Sequence, residues 1–208
     1  MNLFAFADAV GLFSFAVSGF LLGVRKNLDL LGVIIAAFLT ALGGGVVRDV
    51  IVGRTPVAFE EGSILLFVVT GIAAALVFKL HTKERPELHA LFILSDSVGL
   101  VAFALTGAMV GIDAGFNLFG VLLLGFVTAV GGGMLRDMMV GEVPIVLTSD
   151  FYGTVALLAS LFLYLFDRLE LLNPYTLGAI GFLSLALRLV AYRRGWQLPK
   201  LRTEGGPR

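Results

Sequence analysis

A ten-residue phrase occurs twice in this chain and leaves few architectures open to it. Thr40-Ala41-Leu42-Gly43-Gly44-Gly45-Val46-Val47-Arg48-Asp49, continuing to Gly53 and Pro56, returns as Thr128-Ala129-Val130-Gly131-Gly132-Gly133-Met134-Leu135-Arg136-Asp137, continuing to Gly141 and Pro144. The offset is 88 residues throughout, and it also carries Asp8, Gly11, Phe15, Gly19 and Gly23 onto Asp96, Gly99, Phe103, Gly107 and Gly111. One ungapped alignment thus joins residues 8–56 to 96–144, with 22 of 49 positions identical. A duplication of this length implies two structurally equivalent halves, an architecture common among membrane transport proteins.

Both copies lie in strongly apolar sequence. Hydrophobic residues make up 58% of the chain and charged residues only 14%, against roughly 25% charged in soluble domains; mean hydropathy is +0.98. Apolar stretches fall at about 3–24, 30–52, 62–78, 92–112, 116–140, 151–166 and 171–190, each near the ~20 residues that cross a bilayer as helix. Continuous runs, rather than alternation at period two, exclude a membrane β-barrel. The expected fold is therefore an all-α integral membrane protein of seven transmembrane helices. A repeat holding three spans must re-enter from the opposite face, so the halves should be inverted. The expected organisation is a first three-helix repeat over 1–80, a linker over 81–90, a second, inverted repeat over 91–167, a seventh helix over 168–192 and a basic tail over 193–208.

Orientation follows from Lys and Arg. With the N-terminus outside, 12 of the 15 basic residues fall on the cytoplasmic side, and only Arg48, Arg54 and Arg168 on the other. Positive residues collect inside, so the C-terminus is expected in the cytoplasm and the protein in a cell (inner) membrane as a multi-pass protein. The first apolar run has no basic flank and carries Asp8, which favours a retained helix over a cleaved signal peptide. Cysteine is absent, which excludes disulfides and thiolate chemistry. Zero net charge gives no hint of nucleic acid.

Three consecutive glycines forfeit about 1 kcal/mol each in helix propensity relative to alanine, so the second and fifth spans are expected to kink or break at Gly43–Gly45 and Gly131–Gly133. A break near mid-membrane would expose carbonyls able to meet a cation. The same glycines could instead let a neighbouring helix approach closely. Thr40 and Thr128, just before them, offer hydroxyls to an ion or bond back to their own helices. Gly19/Gly23 and Gly107/Gly111 form GxxxG pairs, most simply read as packing grooves.

The intramembrane charges complete the candidate site. By helical rise, Asp8 and Arg48 lie at matching depth near one membrane boundary, as do Asp96 and Arg136 near the other. Such groups either pair and line a pathway or snorkel to the headgroups. Asp49 and Asp137 are expected to point away from their neighbouring arginines, as cation attractors or surface carboxylates, because adjacent helical residues do not share a face. The two histidines, His81 and His89, sit in the polar linker, and no buried nucleophile–base arrangement is visible, so no enzyme, no cofactor and no resident metal are expected.

The doubled Gly-Gly-Gly-x-x-Arg-Asp signatures at 43–49 and 131–137, within seven spans and inverted halves, resemble the bacterial branch of the trimeric intracellular cation (TRIC) channel family, whose members are also labelled glycine-transporter-domain or UPF0126-type proteins. The resemblance runs from about Asp8 to Tyr192. It implies a homotrimer in the membrane lipid, each protomer with its own pore flanked by the second and fifth helices and passing monovalent cations such as K+ or Na+. The carried-over residues are the two triple glycines, Arg48, Asp49, Arg136 and Asp137. A carrier for glycine or another small zwitterion is the alternative, because paired charges could also serve as transporter gates.

Overall fold

A computed structural model describes residues 3–82, 85–148, 151–196 and 198. Lys83 and Glu84 of the linker and most of the basic tail (197 and 199–208) lie outside the described residues. Nine α-helices follow in chain order among the described residues: α1 (Leu3–Arg25), α2 (Leu30–Ile51), α3 (Val57–Glu60), α4 (Gly62–Val77), α5 (Arg85–Asp113), α6 (Leu118–Met139), α7 (Ile145–Thr148), α8 (Tyr152–Arg168) and α9 (Pro174–Arg194). The fold is all-α, as expected.

Five helices, α1, α2, α5, α6 and α9, are long and apolar enough to cross a membrane, and Gly62–Val77 is a shorter apolar helix. At 1.5 Å per residue, α4 and α8 are about 24–26 Å long, short of a ~30 Å hydrocarbon core. Each is preceded by a four-residue helix, α3 or α7, after the Pro56 or Pro144 that closes the repeated phrase.

The two halves begin and end their central helices alike. Asp29 caps α2 by accepting from Gly32 N at 2.7 Å, and Asn117 caps α6 by accepting from Gly120 N at 2.9 Å, each satisfying an amide that the helix leaves unbonded. Gly53 (φ +75°) and Gly141 (φ +71°) take the left-handed conformation just past the ends of α2 and α6, where glycine has no Cβ to strain.

Reciprocal contacts relate the halves by a pseudo-two-fold. Gly11 packs on Phe103 and Gly99 on Phe15, and the two phenylalanines meet edge to face at 5.2 Å. Ser18 meets Asp96 and Asp8 faces Thr106. As the index rises along α1 it falls along α5, so these equivalent helices run antiparallel, as inverted copies require.

The expected breaks at the triple glycines are absent. Both α2 and α6 are α-helical straight through 43–45 and 131–133. The two helices cross there with backbone against backbone: a Cβ on Gly44 would land on the Thr128 carbonyl oxygen, and one on Gly132 on the Thr40 carbonyl oxygen. The lost helix propensity is offset by contact that only glycine permits. Gly19 and Gly107 extend the same packing; a Cβ on either would sit 2.5 Å from Ala36 O or from Thr128 Oγ1 respectively. Thr40 and Thr128 donate to Ala36 O and Leu124 O, both at 2.6 Å, so their hydroxyls are turned to their own helices.

The radial distribution of side chains is that of a membrane protein. Phe119 (73% exposed), Phe182 (71%) and Leu66 (59%) face outward, while Arg136, Asp96, Asp137, Arg48 and Asp49 are buried. Apolar groups outside and paired charges inside are what a lipid solvent selects.

Candidate functional site: two buried charge clusters

The packed centre leaves a cluster of charges at each end of the bundle. At the Asp8 end, Arg48 Nη1 reaches the Asp8 carboxylate of α1 at 3.3 Å, and its Nε donates to Asp49 Oδ1 at 2.8 Å. Asp49 also receives Arg54 Nη2 at 2.7 Å and, through Oδ2, the Val57 amide at 3.0 Å. At the Asp96 end, Arg136 Nη1 donates to Asp96 at 2.7 Å and to Ser18 Oγ at 2.6 Å, its Nε to Asp137 Oδ1 at 2.9 Å, and Asp137 Oδ2 accepts the Ile145 amide at 2.9 Å. Each arginine thus joins α1 or α5 to its own helix, and each aspartate ties the chain after that helix back to it. Charge-assisted bonds of this kind are the strong ones.

The structure therefore brings Asp8, Arg48 and Asp49 together, and Asp96, Arg136 and Asp137 together. The expectation that Asp49 and Asp137 turn away from the neighbouring arginines is corrected: both are buried and accept the adjacent guanidinium Nε. The Cα–Cβ vectors diverge, but the arginine side chain is long enough to curl back. Thr40, Thr128 and the six glycines form the crossing between the clusters rather than a break.

Sequence reasoning missed several neighbours. Ser18 bridges Arg136 and Asp96, and its alignment with Thr106 across the repeat was the available signal. Tyr152 is buried with its hydroxyl facing Asp96 and Arg136 without closing a hydrogen bond, and Arg188 of α9 stacks 4.9 Å from its ring. Arg188 lies outside the repeated segment, but an arginine within an apolar span was a signal in itself.

The two ends differ in access. Asp8 is 15% exposed at its side chain and opens into a vestibule of about 360 Å3 between α1, α2, α3 and α4, lined also by Arg48, Arg54, Glu61 and Ser63. Beyond it a pocket of about 20 Å3 runs in past Gly45 to Phe103, room for about one water. At the other end Phe92 and Tyr152 are both buried over the cluster, and Arg136 is wholly buried.

An antiparallel pair of helical repeats with an ion-pair cluster at each end defines an inverted-repeat membrane protein of the transport type. The family model described as Glycine transporter matches residues 5–81 and 93–168, and the chain belongs to that family, whose relatives carry the name UPF0126 membrane proteins. A UPF0126 membrane protein of Deinococcus radiodurans is 36% identical over 92% of this chain and 89% of its own length. The inner membrane protein YadS of Escherichia coli K12 is 29% identical over 92% of this chain and 93% of its own. The solved TRIC trimeric intracellular cation channel orthologue from Rhodobacter sphaeroides superposes with a TM-score of 0.86 at 30% identity, covering 94% of this chain and 100% of that one. A further structure, solved as the structural basis for conductance through TRIC cation channels, gives a TM-score of 0.84 at 32% identity over 99% of this chain and 100% of that one. The fold is thus that of the bacterial TRIC-type proteins, and the relatives are membrane proteins and channels rather than enzymes.

Proposed function

We propose that this protein is a cation channel of the inner membrane that passes K+ through a route within each protomer of a homotrimer, with its N-terminus outside and C-terminus in the cytoplasm. The observation that carries this reading is the vestibule at the Asp8 end, where one side of the Asp8 carboxylate faces the open cavity while Arg48, itself held by Asp49, pairs with the other. The proposed route leads from that vestibule past Gly45 to the α2–α6 crossing, which is closed in this structure and must open for an ion to pass on to the Asp96 cluster. Along it Asp8, Asp49, Glu61, Asp96 and Asp137 outnumber Arg48, Arg54 and Arg136, an excess of negative charge that favours a cation over an anion. Likeness to TRIC channels over nearly the whole chain supports the same reading.

A carrier for a small zwitterion is the second reading, favoured by one feature: the vestibule presents both signs, Asp8 and Glu61 against Arg48 and Arg54. Reconstitution into liposomes separates the two. Rapid, non-saturating K+ flux indifferent to glycine is the expected result; saturable glycine uptake with a fixed stoichiometry would overturn the channel.

A further inference from the structure

The 88-residue correspondence provides an internal control for the difference between the two ends. Phe92 corresponds to Phe4, Arg25 to Asp113 (at position 25 + 88) and Glu142 to Arg54 (54 + 88). At the Asp96 end, Phe92 is 4% exposed and lies between two guanidiniums: Arg136 from within at 4.9 Å and Arg25 from the mouth at 5.3 Å. Glu142, in the connection after α6, holds Arg25 at 3.7 Å and also pairs closely with Lys26. The latch thus spans the α1–α2 turn and the α6–α7 connection. At the Asp8 end two of the three latch charges are reversed and the third is absent, since Ala114 stands where Lys26 would be. Asp113 occupies the place of Arg25, Arg54 turns onto Asp49, and Phe4 with Arg54 and Asp113 lines an open cavity of about 440 Å3.

A ring face carries negative potential, so it is drawn to the cation at position 25 and gains nothing from the anion at position 113. The charge reversal therefore accounts for Phe92 being clamped and buried over its cluster while Phe4 only lines the wall of the open vestibule beside Asp8 and Arg48. We propose that Phe92 is a lid over the Asp96–Arg136 cluster, clamped by Arg25 and locked by Glu142 through Arg25 and Lys26, so that access from this end requires release of the latch. The latch members are about one-third exposed, where ion pairs are weak and screened by salt. That suits a contact made to open. What the lid controls rests on the channel reading, but the lid itself does not.

Because the chain has no cysteine, single reporters can be placed in the native sequence. Ser18→Cys and Gly133→Cys report on the covered cluster; at Gly133 an added Cβ meets Arg136 and Tyr152 only at 3.5 Å. Ser63→Cys, lining the open vestibule, is the comparison. In full-length protein reconstituted into liposomes, a charged, membrane-impermeant methanethiosulfonate should modify Ser63→Cys quickly from its side and the two covered reporters slowly from theirs. Adding Phe92→Ala or Glu142→Lys should speed the covered reporters by about tenfold, the population shift expected on losing a few weak contacts, and leave Ser63→Cys unchanged. Swapping the latch, Glu142→Lys with Arg25→Glu and Lys26→Glu, takes the cation off the ring and should leave the covered reporters fast in a protein that has folded, whereas Arg25→Lys, which keeps a cation beside Phe92 and Glu142, should keep them slow. Fast labelling of the covered reporters in the parent, or rates indifferent to both Phe92→Ala and Glu142→Lys, would overturn the lid. Labelling as expected with K+ flux absent from every variant would keep the lid and overturn the channel.

Discussion

The adjacent glycines of each triplet should respond very differently to the same added methyl group. A Cβ on Gly44 would meet the carbonyl carbon of Thr128 at 3.0 Å and lie closer still to its oxygen, whereas one on Gly45 would meet only the far end of the Arg48 side chain at 3.7 Å. Backbone cannot rotate away, so Gly44→Ala must push α2 from α6. Overpacking costs about 1–3 kcal/mol, and direct collision with a carbonyl belongs near the top of that range. Helix propensity returns up to about 1 kcal/mol, leaving a net loss of about 2 kcal/mol. Gly45→Ala meets no clash and should keep the propensity gain. At roughly 2–4 °C per kcal/mol for a chain of this size, Gly44→Ala should melt about 4–8 °C below the parent and Gly45→Ala at or above it. Gly132→Ala and Gly133→Ala should repeat the contrast, since Gly132 meets the Thr40 backbone while Gly133 has room. Thermal unfolding of the purified protein in detergent provides the assay. Equal melting temperatures for Gly44→Ala and Gly45→Ala would refute the backbone crossing.

The ion pairs should differ by burial. Arg136 is 0% and Asp96 3% exposed at the side chain, against 15% for Asp8. Asp96→Asn should therefore cost near the lower end of the about 3–5 kcal/mol for breaking a buried pair, since Asp137 still holds Arg136, and Asp8→Asn about 1 kcal/mol. Double-mutant cycles with Arg136→Gln and Arg48→Gln, read by melting temperature, should give the larger coupling at the Asp96 end; equal couplings would contradict it. Asp49→Asn removes an oxygen shared by Arg48 and Arg54 or the one that holds the Val57 amide, a loss of about 1.5–3 kcal/mol, and hydrogen exchange over residues 52–57 should rise; unchanged exchange would show that Asp49 does not hold that connection. Impermeant labels at residues 79–82 should react from the cytoplasmic face, and reaction from outside would reverse the proposed orientation.

Much of this molecule was legible because the repeat makes each observation twice. Asp8 with Arg48 and Asp96 with Arg136 could be matched in depth from helical rise alone, and the inverted halves follow from an odd number of spans. The triple glycines do not break their helices because propensity describes an isolated helix, whereas Gly44 and Gly132 answer to a partner whose approach no single segment reveals. Asp49 and Asp137 were misjudged because facial arguments follow Cβ directions, and an arginine side chain is longer than the turn that separates them. Tyr152, Arg188 and Phe92 gather at one cluster through the packing of α5, α8 and α9. No spacing within the repeated segment encodes that meeting.

Single-channel recording in a planar bilayer under a KCl gradient tests the central claim most directly. The account predicts ohmic unitary currents that reverse near the K+ equilibrium potential and come in up to three equal steps, one for each protomer. Reversal near the chloride potential, or a silent bilayer from protein shown to be inserted and folded, would contradict it.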